Sequence, residues 1–251
     1  MKVFTSVFDD ADLLPHFLQH TIQNGYTQII IGLSQAPGAV SAEEVDAHCK
    51  AIRSTNIAVT VEAHGDPDTP RDAEGDARWM ARARAFWCGP DEWHGIAALD
   101  EHHDYPGGLF DTVARAEDMG AGYVGGYLVD QVAADGSLPP VPSLPTTLRE
   151  TFPASRRISG AILGANTSKV CLVRGHIPVG GGHHFAQGGR PSPDAIPVLH
   201  YKWHAGVLPR LRRRLDEHNL QGTPLSVESE RALSSLAASH GFDMQDARLL
   251  F

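Results

Sequence analysis

Apolar runs alternate with helix-like patterns along the first 63 residues. Runs of the β type predict strands over Lys2–Val7, Thr27–Leu33 and Ile57–Ala63. Helical periodicity predicts one helix after the aspartates near position 10 and another that begins at the capping box Ser41–Glu44. Strands and helices in alternation are typical of an α/β fold with a Rossmann-like, mostly parallel sheet and helices on both faces.

A strand and a polar cluster follow in the middle of the chain. The small, apolar segment Gly95–Leu99 predicts a central strand, and Asp100–Asp104 (DEHHD) follows it directly. Ligands bind at the carboxyl ends of strands in open α/β sheets, so we expect chemistry at this cluster.

A helix is predicted over Ala77–Trp87, before that strand. Its arginines, at positions 78, 82 and 84, are expected to face solvent. Arg78 and Arg82 lie one turn apart, which also suits them to grip a phosphate.

The remaining predicted elements occupy the second half of the chain. They are the helices Leu109–Met119, Val207–Leu220 and Leu225–His240 and the strands Tyr123–Val129, Ser168–Arg174 and Val198–Trp203. Residues 135–153 contain five prolines, which predicts an irregular loop or lid. Without a repeat or a linker, a single domain over residues 1–251 is expected.

Composition narrows the class of protein. The chain has 251 residues, 42% hydrophobic and 20% charged, and a formal net charge of -9, which argues against broad binding to nucleic acid or anionic membranes. No apolar stretch approaches the ~18 residues of a membrane span, and the N-terminus lacks a signal-peptide pattern. Three scattered cysteines suit a reducing compartment. We therefore expect a cytoplasmic protein.

The chain is rich in histidine, with fourteen in total. Three clusters, Asp100–Asp104, Gly180–His184 and His200–Trp203, each follow a predicted strand and are expected to meet at one sheet edge. Carboxylate and imidazole together suit Mn²⁺ or Mg²⁺ bound with a phosphate, whereas structural zinc is more typical of cysteine ligands.

Several ordered motifs resemble bacterial glycosyltransferase family 2-like proteins, with similarity to family 92-type motifs. They are IAALDEHHDYPGG, YVGGYLVDQVAADG, SKVCLVRG, GHH and HYKW, and the resemblance spans residues 2–214. It implies a GT-A fold, with a nucleotide-binding half over residues 1–106 and an acceptor-binding half with C-terminal helices over residues 107–251.

The resemblance also implies a nucleotide-sugar donor, a divalent metal (Mn²⁺ or Mg²⁺) and a small-molecule acceptor. Asp9 or Asp10 would lie beside the base or ribose, and Lys202 would offset phosphate charge as the sugar departs. The residues expected to contact the donor are Asp9, Asp10, Arg78, Lys202 and Trp203.

The metal motif departs from the family pattern. Ala98 stands where the family has its first acidic residue, and His102 stands where phenylalanine is expected. Either imidazole completes the site, or the metal is dispensable, or the protein has left sugar transfer for a related reaction. The expected metal ligands are Asp100, His102, His184 and His200.

Acceptor activation calls for a general base, for which Asp130, predicted at a strand end, is the first candidate and Glu101 the second. Two other classes of function stay open. One is a metal-dependent hydrolase or lyase built on His102, His103, His183, His184 and His200. The other is a non-catalytic nucleotide- or sugar-binding protein, which Ala98 favours.

Overall fold

The computed structural model is a mixed α/β protein and describes residues 1–52, 57–69, 73–221, 225–237 and 241–250. The strands are β1 (Lys2–Val7), β2 (Gln28–Ser34), β3 (Ala58–His64), β4 (Trp93–Ile96), β5 (Glu101–His103), β6 (Tyr123–Val132), β7 (Ala154–Arg156), β8 (Ser168–Arg174) and β9 (Ile196–His200). The helices are α1 (Leu14–Gln23), α2 (Ala42–Ile52), α3 (Ala73–Trp87), α4 (Leu109–Asp118), α5 (Leu148–Thr151), α6 (Ile158–Ala161), α7 (Val207–Gln221) and α8 (Leu225–Ala237). No helix in these ranges has both the length and the apolar composition that crossing a bilayer requires.

The chain forms two compact units. Unit 1 consists of Met1–Tyr127 and Ser168–Val198, and unit 2 consists of Leu128–Thr167 and Leu199–Phe251. The chain therefore passes from unit 1 to unit 2 within β6, returns at β8, and passes over again within β9.

The sheet of unit 1 has the strand order β3-β2-β1-β4-β8-β6-β9-β5. Strands β3, β2, β1 and β4 run parallel, β8 runs antiparallel to β4, and β6 runs antiparallel to β8. The prediction of an α/β fold with a mostly parallel, Rossmann-like sheet flanked by helices is confirmed. Because β2 and β4 lie on opposite sides of β1, the strand order reverses at β1, and the carboxyl ends of β1 and β4 form the switch point of the sheet.

Strands β1 and β2 of the parallel half are covered on both faces. Phe4 and Ile30 pack in one cluster with Trp79 and Met80 of α3. Ile29, which points to the opposite face of β2, is also fully buried. Burial on both faces explains why these strands appear in the sequence as continuous apolar runs.

Unit 2 is built around its own apolar core. The second half of β6 pairs antiparallel with β7, with Asp130 opposite Arg156. Trp203, fully buried, packs edge-on against Phe242 with the ring centroids 5.0 Å apart. The other buried residues of this core are Val132, Ile158, Leu163, Val207, Leu211, Ala232, Leu236 and Leu249.

The predicted strand over Gly95–Leu99 and the polar loop after it need correction. Strand β4 ends at Ile96, and Glu101–His103 forms a separate strand, β5, whose three side chains are buried. These polar residues therefore belong to the sheet and not to a solvated strand end.

Three later predictions were also inaccurate. Strand β6 continues to Val132, so Asp130 lies inside a strand and not at its end. Within the proline-rich segment 135–153, Leu148–Thr151 is helical, with a capping box from Thr147. Strand β9 ends at His200, before the Lys202–Trp203 pair. The sequence also predicts that Thr223 and Pro224 form the N-cap and N1 positions of the last helix, and both lie outside the described residues.

Close packing between β2 and α3 makes Gly32 sensitive to added volume. A Cβ atom at Gly32 would lie 2.6 Å from the Trp79 ring. We expect Gly32→Ala to lower the free energy of unfolding by about 1–3 kcal/mol, measured by urea denaturation. Gly89→Ala, where the nearest atom is 4.0 Å from the added Cβ, is the control and should stay within about 0.5 kcal/mol. Equal stability of the two variants would contradict this packing.

Candidate functional site

A cavity of about 200 Å³ lies in unit 1 at the carboxyl ends of β1 and β4. Ser6 of β1 and Ala98, which follows β4, contribute to its wall. The rest of the wall comes from α3 (Asp76, Ala77, Met80, Ala81 and Arg84), from Lys169 of β8, and from Val179–His183. The cavity thus occupies the switch point, where open α/β sheets bind ligands.

The strand register brings Lys169 to this position. Strand β8 is antiparallel to β4, with Gly95 opposite Leu172. Lys169 precedes Leu172, so it lies beyond Gly95 toward the carboxyl end of β4. From α3, residues 77 and 81, and likewise 80 and 84, face the cavity because residues four apart share one side of a helix.

Arg84 is a buried cation with neutral partners. Its side chain is 4% exposed; its Nε donates to His94 Nε2 at 2.7 Å, and an Nη donates to the Ile177 carbonyl at 2.8 Å. Within the described part of the chain, no carboxylate forms an ion pair with it. Burial lowers its pKa to about 10. A buried charge without a counter-charge is costly, and an anion in the cavity would reduce that cost.

Lys169 joins the cavity wall to β5. Its Nζ lies 2.6 Å from Glu101 Oε1 and donates to the Gly182 carbonyl at 2.8 Å. An ammonium group has three N–H donors, so these two contacts leave one for a ligand. Glu101 Oε2 also accepts from the Ala98 amide at 3.3 Å, which ties β5 to the segment after β4.

The segment Gly180–His183 closes the cavity with backbone and one imidazole. Gly182 has φ +64°, and a Cβ there would lie 2.8 Å from the His184 ring, so glycine suits this position. His183 follows with φ 59°. Together with Arg84 and Lys169, this wall suits a small anionic ligand such as a phosphate.

Of the residues predicted in unit 1 to bind the donor or act as base, Glu101 contacts the cavity wall through its ion pair with Lys169. Asp9 follows β1 directly, and Asp10 precedes the short 3₁₀ turn Ala11–Leu13. Arg78 is exposed on α3 and lies 3.4 Å from Glu74. None of the last three lines the cavity.

The predicted metal ligands of unit 1 are dispersed. Asp100 lies in the turn between β4 and β5, and the His102 ring stacks on His20 of α1 at 4.4 Å. His184 Nδ1 lies 2.8 Å from the Ser168 carbonyl. Within the described residues of unit 1, the ligand atoms of Asp100, His102 and His184 do not all lie within 4.8 Å of one another. They therefore do not fit a single metal ion.

Asp130 is a buried hydrogen-bond centre in unit 2. Its Oδ1 accepts from Ser159 Oγ at 2.6 Å, His200 Nδ1 at 2.8 Å and Trp203 Nε1 at 2.9 Å, and its Oδ2 accepts from the Ser159 amide at 2.7 Å. Burial alone would raise the pKa of Asp130, but the bonds from His200 and Ser159 outweigh it and hold that pKa below its usual value. These bonds favour positioning of His200 over proton abstraction by Asp130.

The HYKW residues all lie in unit 2. His200 is bound to Asp130 through Nδ1, and Trp203 is a core residue bound to the same carboxylate. Lys202 Nζ lies 5.3 Å from the centre of the Trp203 ring. Metal binding by His200 and donor binding by Lys202 and Trp203 stay predictions.

The cavity includes residues that sequence reasoning missed. Arg84 was expected to face solvent, and Lys169 and Ser6 were not singled out. A signal existed for Arg84, because it lies one turn after Met80 on the apolar side of its helix. Nothing local marked Lys169, whose partner Glu101 comes from a distant strand.

Comparisons with known proteins give little further guidance. No protein-family model and no curated protein matches the chain. Among solved structures it is similar to a UDP-glucose pyrophosphorylase complexed with UDP-glucose, at TM-score 0.32 and 10% identity, covering 58% of this chain and 64% of that one. The chain thus spans less than two thirds of that protein.

Loss of the Asp130 charge should destabilise the protein. Asp130→Asn replaces an acceptor of four hydrogen bonds by an amide whose NH₂ faces donors, and we expect it to lower the free energy of unfolding by about 2–4 kcal/mol. Asp135→Asn, at an exposed carboxylate bound to Ser137, should destabilise the protein much less. Denaturant titration of both variants checks this, and equal losses would argue against the network.

His94 should make stability depend on pH. Burial, together with the Arg84 charge, lowers the pKa of His94 to about 3. An unfolded histidine titrates near 6.5, so the unfolded chain binds the extra proton first as the pH falls below about 6.5. The stabilisation by neutral His94 is thus complete above that pH and decreases by about 2 kcal/mol by pH 5.

The measurement is the free energy of unfolding at pH 7, 6 and 5 for wild type and His94→Gln. Between pH 6 and pH 5, the free energy of unfolding of the variant should depend on pH less steeply than that of wild type, by the equivalent of about one bound proton. This difference in slope does not depend on the overall stability of the variant. An unchanged slope in His94→Gln would show that His94 is not held neutral.

Proposed function

We propose that this protein is a nucleotide-sugar-dependent transferase of the glycosyltransferase type, and that the unit 1 cavity holds the phosphate-bearing part of the donor. The observation that carries this proposal is the buried Arg84 guanidinium, which lines a cavity at the switch point without a carboxylate partner in the described residues. The motif resemblance to glycosyltransferase family 2-like proteins supports the same class.

The cavity chemistry suits a diphosphate. Arg84 provides a fixed positive charge and Lys169 one further N–H donor. As the sugar departs, negative charge grows on the leaving phosphate, and preorganised cations at that point lower the barrier. Asp76, the acidic residue in the wall, suits a sugar or ribose hydroxyl because a carboxylate only accepts hydrogen bonds.

Cavity size limits what can bind inside. Pockets that enclose whole drug-sized ligands measure about 300–1,000 Å³, and this cavity measures about 200 Å³. It therefore accommodates a fragment of a nucleotide sugar, while the rest of the donor lies outside.

In a metal-assisted enzyme a divalent cation would neutralise the phosphate charge, whereas here protein side chains are proposed to do so. The predicted ligands Asp100, His102 and His184 do not form one donor set, so the proposal gives charge neutralisation to Arg84 and Lys169. Addition of Mn²⁺ or Mg²⁺ to the binding assay tests the metal expectation directly.

A pair of variants on α3 tests the proposal. Ala81 lines the cavity and Ala85 does not, yet both positions are exposed and lie one turn apart. We expect Ala81→Glu to weaken binding of nucleoside diphosphates about tenfold through like-charge repulsion, and Ala85→Glu to leave it unchanged. Calorimetric titration with UDP, GDP, ADP and CDP, each with and without Mn²⁺, gives the affinities.

Two results would count against the proposal. One is the absence of nucleoside diphosphate binding under all conditions, and the other is equal binding by the Ala81→Glu and Ala85→Glu variants. The variant Arg78→Gln tests the sequence prediction that Arg78 binds the donor. A loss of nucleoside diphosphate affinity in this variant would show that the phosphate binds at the exposed face of α3 and not in the cavity. Release of nucleoside diphosphate from a nucleotide sugar, dependent on an added acceptor, would identify transfer.

A further inference from the structure

His183 combines three features that its local structure does not require. It is the non-glycine residue with positive φ in the described ranges, at 59°, and it lines the cavity. Its Nδ1 is buried and makes no hydrogen bond to any described protein atom. Strained backbone together with a buried polar atom lacking a protein partner is typical of residues held in place for a ligand.

The His183 imidazole is held neutral. Burial, with Lys169 and Arg84 nearby, lowers the pKa of His183 to about 3, although Glu101 acts in the opposite direction. A neutral imidazole donates a hydrogen bond through one nitrogen and accepts through the other. His183 therefore adds hydrogen-bonding capacity to the cavity without adding charge.

Arg84, Lys169 and His183 suit different parts of a ligand in the cavity, whose wall also contains Asp76 and Ser6. A phosphoryl oxygen only accepts hydrogen bonds, which suits the guanidinium of Arg84 and the remaining N–H of Lys169. A hydroxyl group both donates and accepts, so it satisfies His183 in either tautomer. The cavity thus offers both charged donors and one neutral hydrogen-bonding group.

We propose that His183 binds a hydroxyl group beside the phosphoryl group held by Arg84 and Lys169, so that the cavity selects a sugar phosphate over a simple phosphate ester. This inference rests on the proposed function and narrows it. The sugar-phosphate end of the donor, and not its base, occupies the cavity.

Two charge-matched probes isolate the hydroxyl contact. Methyl phosphate and α-glucose 1-phosphate are both phosphate monoesters, but only the second carries hydroxyl groups. Calorimetry on the full chain should show that wild type prefers glucose 1-phosphate by roughly 3- to 10-fold, the effect of one or two neutral hydrogen bonds.

The variants remove the imidazole without straining the backbone. His183→Gly suits a positive φ and should abolish the preference while leaving methyl phosphate affinity within about twofold. His183→Asn tolerates the same backbone conformation and offers an amide, so it should restore part of the preference. His176→Gly, at an exposed histidine outside the cavity, should behave as wild type.

The outcomes separate this inference from the proposed function. If the His183→Gly variant keeps the preference for glucose 1-phosphate, or binds both probes more weakly by the same factor, His183 does not bind a hydroxyl group. The proposed donor site is then tested separately by the Ala81→Glu and Ala85→Glu variants of α3. If Ala81→Glu weakens neither probe, or neither probe binds, the cavity is not a sugar-phosphate site. Nucleoside diphosphate binding that still responds to Ala81→Glu would then preserve the proposed function alone.

Discussion

The buried guanidinium of Arg84 is the constraint on which the candidate site depends. It fastens α3 to β4 through His94 and to the segment after β8 through the Ile177 carbonyl. Its charge has only neutral partners among the described residues, in contrast to Asp130 of unit 2, whose carboxylate accepts four hydrogen bonds. A fully satisfied group organises its surroundings, whereas a charge without a counter-charge gives a site affinity for a ligand.

Strands β1 and β2 of the parallel half were predictable because they are buried on both faces. Apolar runs such as Thr27–Leu33 leave little alternative to a covered strand. Strand β5 was not predictable, since its polar side chains contact residues far away in sequence: Glu101 pairs with Lys169, and the His102 ring stacks on His20. Hydrophobic periodicity depends only on which residues are apolar. It therefore cannot predict that a polar residue will be buried against a partner that is distant in sequence.

Part of the candidate site was also within reach of sequence reasoning. The cluster Gly180–His184 was singled out by its glycines and histidines, and the structure places Gly180–His183 in the cavity wall. Arg84 was misjudged because arginine is usually exposed, and the apolar neighbours on its helix face were the clue. Lys169 lies beside these residues because β8 pairs antiparallel with β4. This pairing joins segments that are far apart in the chain, so the sequence around Lys169 does not predict it.

The order in which the two units alternate along the chain affects biosynthesis. Unit 1 receives β8 and the Gly180–His183 wall only after the whole segment Leu128–Thr167 of unit 2 has been made. A nascent chain emerging from the ribosome therefore carries Arg84 before its partner Ile177 exists. Until β8 has been synthesised, one edge of β4 has no neighbouring strand, and unpaired strand edges aggregate readily.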